Sequence, residues 1–177
     1  MIGGSSQVQP RIVRAGDENR LQGELALPYN ANPYLAGFGF PNRVAGVALP
    51  GAGDYDIVFD SASPSGAGPF TFRFWVADTT APSLRLISAR GGVLRISARD
   101  TGSGIDHART RLFVDGGRRA ASFDAARGLM RASIRNLRRG RHTLKLLVSD
   151  YQESKNMENV HRILPNTRRL NTTFVVR

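Results

Sequence analysis

The sequence predicts an all-β protein made of two tandem β-sandwich domains. Three observations carry that prediction. Short runs that alternate apolar and polar residues recur along the chain, with turn-forming residues between them. The 19 Gly and nine Pro are scattered rather than clustered, as a chain with many turns requires. Three of the runs also end on an aspartate at the point where the chain turns: Trp75-Val-Ala-Asp78, Ile96-Ser-Ala-Arg-Asp100 and Leu144-Lys-Leu-Leu-Val-Ser-Asp150.

In the first half, strands are expected over Gln9–Arg14, Leu21–Leu27, Val44–Leu49, Tyr55–Phe59 and Phe70–Val76. The Pro/Asn-rich segment Pro28–Pro33, the Pro50-Gly-Ala-Gly53 turn and a Ser/Gly/Pro/Ala loop over Ser61–Pro69 separate them. Asp78-Thr-Thr-Ala-Pro82 follows a complete strand and puts a proline before the next, so it divides domain 1–78 from domain 79–177. The first domain has a low strand count, which leaves open whether it is complete.

The second domain is more regular. Its strands are expected at Leu84–Ser88, Val93–Arg99, Thr110–Val114, Arg119–Phe123, Leu129–Ile134, His142–Ser149 and Thr172–Val176. About seven strands at roughly 8–12 residue spacing is the pattern of an immunoglobulin/fibronectin-III-like sandwich. Asp115-Gly-Gly117 marks a hairpin turn. A weak internal repeat links the halves: Leu49-Pro-Gly-Ala-Gly53-Asp-Tyr55 and Leu137-Arg-Arg-Gly140-Arg-His142 each place Leu and Gly before a ring that opens an alternating strand. In immunoglobulin-like sandwiches a Tyr at such a corner bonds back to the preceding turn, so Tyr55 and His142 are expected to be structural.

Composition narrows the function classes. With 41% apolar residues the chain can bury a core, and with no cysteine it has no disulfide framework, thiolate metal site or Cys nucleophile. No run of about 18 apolar residues is present to insert into a membrane. The N-terminus lacks a signal peptide, so an exported protein is expected to be part of a longer precursor. Charge is divided unevenly: five Arg face seven acidic residues up to Asp78, whereas 18 Arg and two Lys face seven acidic residues afterwards. The basic half suits an anionic partner, although GC-rich codon usage also yields an Arg excess.

Asp78-Thr-Thr-Ala-Pro82, Asp100-Thr-Gly-Ser-Gly-Ile-Asp106, Val114-Asp-Gly116, Leu137–His142 and Ser149–Asn159 together resemble the immunoglobulin-like accessory domains that follow the catalytic domain of secreted actinobacterial subtilisin-like serine proteases. The first half resembles the β-domain that precedes them. The resemblance implies a secreted, non-catalytic spacer, stabiliser or docking surface, with the catalytic domain of the same precursor, or another protein surface, as partner. Nothing in the chain resembles the protease domain itself.

The residues agree with that absence. Ser103, Asp106 and His107 lie too close in one short loop to give three-point triad geometry, and His142 opens a strand with no acid or nucleophile placed beside it. An enzyme is therefore not expected. In an immunoglobulin-like sandwich, however, Asp78, Asp100 and Asp150 leave strands at one pole, near Asp106 and Asn156. Two readings stay open: local Asx-turns, which the sequence favours, and a calcium site of hard oxygen ligands.

The long connection after Asp150 offers Tyr151, Gln152, Glu153, Lys155 and Asn156 as a docking loop, with Met157, Val160, Ile163 and Leu164 as anchors. Alternation sends Arg95, Arg99, Arg131 and Arg135 to the outer faces of two neighbouring strands, with Arg85 nearby. Such a patch suits an anionic cell-surface polymer, which makes a freestanding adhesion module the alternative function. Nucleic acid is disfavoured, because no reading motif is present and no aromatics interleave with these arginines.

Overall fold

A computed structural model describes residues 2–3, 7–19, 51–61, 63–76, 78–154 and 166–177. Two compact units are found, the first drawn from Met1–Phe74 and the second from Trp75 onwards. The strands expected at Leu21–Leu27 and Val44–Leu49 lie outside the described residues, as do Lys155, Asn156, His161 and the four apolar anchors.

In the first unit, β1 (Ile2–Gly3) pairs antiparallel with β4 (Thr71–Phe72), and β2 (Gln9–Arg14) with β3 (Tyr55–Asp60). Gln9 opposes Asp60 and Arg14 opposes Tyr55, so the pairing runs the full length of both strands. Arg11 Nε holds Asp60 Oδ2 at 2.6 Å at one end. At the other, the Tyr55 hydroxyl donates to the Gly51 carbonyl at 2.9 Å, the expected corner. Phe59 packs against Phe70 and Phe72, with ring centroids 5.0 and 5.2 Å apart. Only Thr71–Phe72 of the strand expected over Phe70–Val76 is paired.

The second unit is a β-sandwich. One sheet runs in the order β5 (Ser83–Arg90), β6 (Val93–Arg99), β10 (Leu129–Ser133), β9 (Ser122–Asp124). The other runs β12 (Thr167–Val176), β11 (Gly140–Ser149), β7 (Arg111–Val114), β8 (Gly117–Arg119). All pairs are antiparallel. This order corresponds to the two sheets of an immunoglobulin-like sandwich.

Eight strands are described where about seven are expected. The segment Arg119–Phe123 is not one strand: Ala120 and Ala121 cross from β8 in one sheet to β9 in the other. Turn chemistry explains the hairpins. Asp115 (φ 50°) and Gly116 (φ 80°) are both left-handed, as a two-residue turn between right-twisting strands demands.

Period-two alternation decides what is buried. Leu94, Ile96 and Ala98 of β6 face Met130 and Ala132 of β10 across one sheet, and Leu144, Leu146 and Val148 of β11 join Leu112 and Val114 of β7 in the other. Each large side chain sealed here contributes roughly 1.5–3 kcal/mol, so this core holds the sheets together. No helix among the described residues is long and apolar enough to cross a membrane.

Candidate functional site

Two features of the sandwich are candidates for function: an aspartate-lined pole and the outer face of the β5–β6–β10–β9 sheet.

The pole forms where β6 and β11 end. Asp100 follows β6; Asp150 follows β11 and bridges to Ile105; Asp78 lies ahead of β5. One carboxylate oxygen from each lies within 4.8 Å of the others. Asp150 is fully buried and Asp78 nearly so. The convergence expected of these three residues is therefore present.

Main-chain amides hold two of the carboxylates. Asp78 Oδ1 accepts from Thr80 N (3.0 Å) and its Oδ2 from Ser103 N (2.6 Å). Asp100 Oδ1 accepts from Gly102 N (3.1 Å) and Gly104 N (2.7 Å). The Asp78–Thr80 and Asp100–Gly102 contacts span two residues, as in Asx-turns. Asp106 makes a third such turn, with Oδ1 3.0 Å from Ala108 N, and so caps the 3₁₀ turn His107–Arg109.

Burial pushes the Asp78 carboxyl up, but the Ser103 and Thr80 amides, helped by Asp150, outweigh it and hold Asp78 below the usual range. Asp100 is held above that range, first by burial and then by the charge of Asp78, which its Gly104 and Gly102 amides only partly offset. Chemically, the three carboxylates are donors of the type a hard divalent cation takes. The amides that satisfy Asp78 and Asp100 serve the Asx-turn arrangement equally well.

Several partners at this pole are not evident from the sequence. Asn166 Nδ2 donates to the Asp78 carbonyl at 2.7 Å, and buried Ser103 Oγ accepts from Gln152 N at 3.0 Å. Trp75 Nε1 donates to Gln152 Oε1 at 2.9 Å, and its ring lies 6.2 Å from that of Tyr151. Tyr151–Ser154 form one helical turn, in which the half-buried Tyr151 and Gln152 secure Trp75. Ser103, Asp106 and His107 do not assemble a catalytic triad: Ser103 is sealed, and the His107 ring lies tilted against Phe123, centroids 5.9 Å apart.

On the sheet face, Arg95 of β6 stands directly opposite Arg131 of β10. Ser88 and Ser122 complete the row across all four strands. Arg85, Arg99 and Arg131 are exposed and Arg95 is half-buried. Arg135 lies beyond the end of β10, its stem packed over Gly92, while the stem of Arg99 covers Gly128. Among the described residues the one carboxylate on this face, Asp124, is paired at the far edge with Arg127 at 2.9 Å; that hydrogen bond first, with the charge of Arg131 adding to it, holds its carboxyl below the usual range. Arg95 and Arg131 thus stand side by side on this face, whereas Arg135 lies off the strand, over the Gly92 turn.

No family model, curated protein or solved structure matches the chain. Its functional reading therefore rests on these two sites and on the sequence motifs.

Proposed function

We propose that the chain is a non-catalytic β-sandwich module of an exported protein, and that it binds an anionic polymer across the β5–β6–β10–β9 face. The observation carrying this reading is the register pair Arg95–Arg131. Like charges directly opposite on neighbouring strands destabilise a sheet, and the Asp124 carboxylate, whose field reaches Arg131, is itself paired with Arg127. An anionic chain laid across the row would neutralise both arginines, with Arg85 and Arg99 extending the contact. Serine hydroxyls at both ends of the row can donate to the same anion.

Retention on immobilised polyuronate at rising salt tests the proposal. Arg95→Ala/Arg131→Ala should elute at clearly lower salt than the native chain. Equal elution would refute a role for this face.

A second reading, a spacer or stabiliser beside the catalytic domain of a subtilisin-like protease, is favoured by the anchoring of Asp78. Its carboxylate and its carbonyl both bind the sandwich, which fixes the segment leading into it. Limited proteolysis tests this reading. The segment 75–82 should resist cleavage in the native chain and become sensitive in Asp78→Ala; equal cleavage of both would remove the spacer role.

A further inference from the structure

The opposite sheet has an outer face of different composition. Its central row runs Arg118–Phe113–Lys145–Asn171 across β8, β7, β11 and β12. Phe113 is half-buried, yet it is not part of the core that Leu112 and Val114 enter from the same strand, so its ring faces outward. It lines a groove of ≈ 340 Å³ with Gly116, Thr143 and Lys145.

The neighbouring row is Arg111–Leu147–Arg169, again two cations around an apolar residue. Among the described residues, none of Arg111, Arg118, Lys145 or Arg169 has a carboxylate partner. Asp115 lies close by, but its carboxylate is engaged by His142 and Thr143.

We infer that this groove binds a sugar ring bearing a carboxylate or phosphate. The ring stacks on Phe113, the anion takes Lys145 or Arg118, and hydroxyls meet Thr143 and Asn171. A single ring flanked by Arg118 and Lys145, with Thr143 and Asn171 as neutral hydrogen-bonding groups, favours an anionic glycan over single-stranded nucleic acid, which is held by several aromatics stacking successive bases. The site is separate from the Arg95–Arg131 face and does not depend on it.

The test is calorimetric titration of the full chain at low salt with trigalacturonate, glucose 6-phosphate, neutral maltotriose and an oligothymidylate. One or both anionic sugars should bind, with maltotriose at least tenfold weaker. Phe113→Leu keeps an apolar side chain and secures folding, but without a ring it should weaken binding about tenfold. Lys145→Gln should weaken it by a similar factor and flatten its salt dependence. Arg95→Ala/Arg131→Ala should leave it unchanged, which separates this site from the other face. Unaltered affinity in Phe113→Leu, or tighter binding of oligothymidylate than of either anionic sugar, would overturn the assignment.

Discussion

His142 Nδ1 lies 2.6 Å from Asp115 Oδ2, while its Nε2 lies 2.8 Å from the carbonyl of Arg138. Both ring nitrogens thus face acceptors, and only the imidazolium donates to both. The Asp115 hydrogen bond, followed by the Arg138 carbonyl, holds His142 above its ordinary value of 6.5. The His142 hydrogen bond in turn, followed by that of Thr143, holds Asp115 below 3.8. The ring does at the second corner what the Tyr55 hydroxyl does at the first, reaching back four residues to a carbonyl.

This pair makes stability depend on pH in a definite direction. A raised histidine contributes fully below its unfolded value and loses that contribution as pH rises through the folded one. A lowered aspartate contributes above its unfolded value and loses that as pH falls through the folded one. The pair is therefore most stabilising between the carboxylate and imidazole ranges. Thermal melts should show a decline as pH rises above 6.5 that is much reduced in Asp115→Asn. Asparagine tolerates the left-handed backbone at this position, so the change isolates the charge. A decline of equal size in both proteins would remove the pair as its source.

Gly102 shows how tightly the linker aspartate is seated. A Cβ at this position would collide with the Asp78 carboxylate. Gly102→Ala should therefore cost about 1–3 kcal/mol through overpacking. Asp78→Ala should cost about as much, because the Ser103 amide loses its acceptor in a buried position. Urea denaturation measures both. If Gly102→Ala is neutral, the carboxylate can move aside and the linker is not locked.

Where alternation is strict, residues alone predict strands to their ends: β2 and β6 run over the expected Gln9–Arg14 and Val93–Arg99. β12 begins five residues before Thr172, because Thr167–Asn171 are mostly exposed and pair through their backbone with Lys145–Ser149. No apolar pattern could mark that stretch. The convergence of Asp78, Asp100 and Asp150 is legible from strand exits at a common pole. The hydrogen bond from Asn166 to Asp78 joins residues 88 positions apart and has no local signature. The Phe113 row is hidden for a related reason: β7, β8, β11 and β12 each contribute one member, and only their register brings the members together.

Asp150→Asn separates the two readings of the pole. Asparagine preserves the shape and offers an amide N–H to Asp78, while one of three crowded carboxylates is neutralised. The Asx-turn reading expects a melting temperature equal to or above that of the native chain, with neither protein shifted by millimolar calcium. A calcium-dependent rise in the native chain that is absent from Asp150→Asn would assign the pole to an ion instead, since a ligand bound only by the folded state raises its stability.

Arg131 offers a test in which stability and binding move in opposite directions. Replacing it by Glu sets a carboxylate directly opposite Arg95, and an opposite-charge cross-strand pair contributes roughly 0.2–1 kcal/mol where the like-charge pair opposed the fold. Arg131→Glu should therefore melt at or above the native temperature while losing polyuronate retention almost completely. Arg131→Gln should fall between the two in both measurements. A variant that is destabilised would mean that Arg131 supports the sheet by packing, and one that still binds the polymer would show that the anion does not lie across this row. Stability gained together with retention lost would mark Arg131 as a binding residue rather than a structural one.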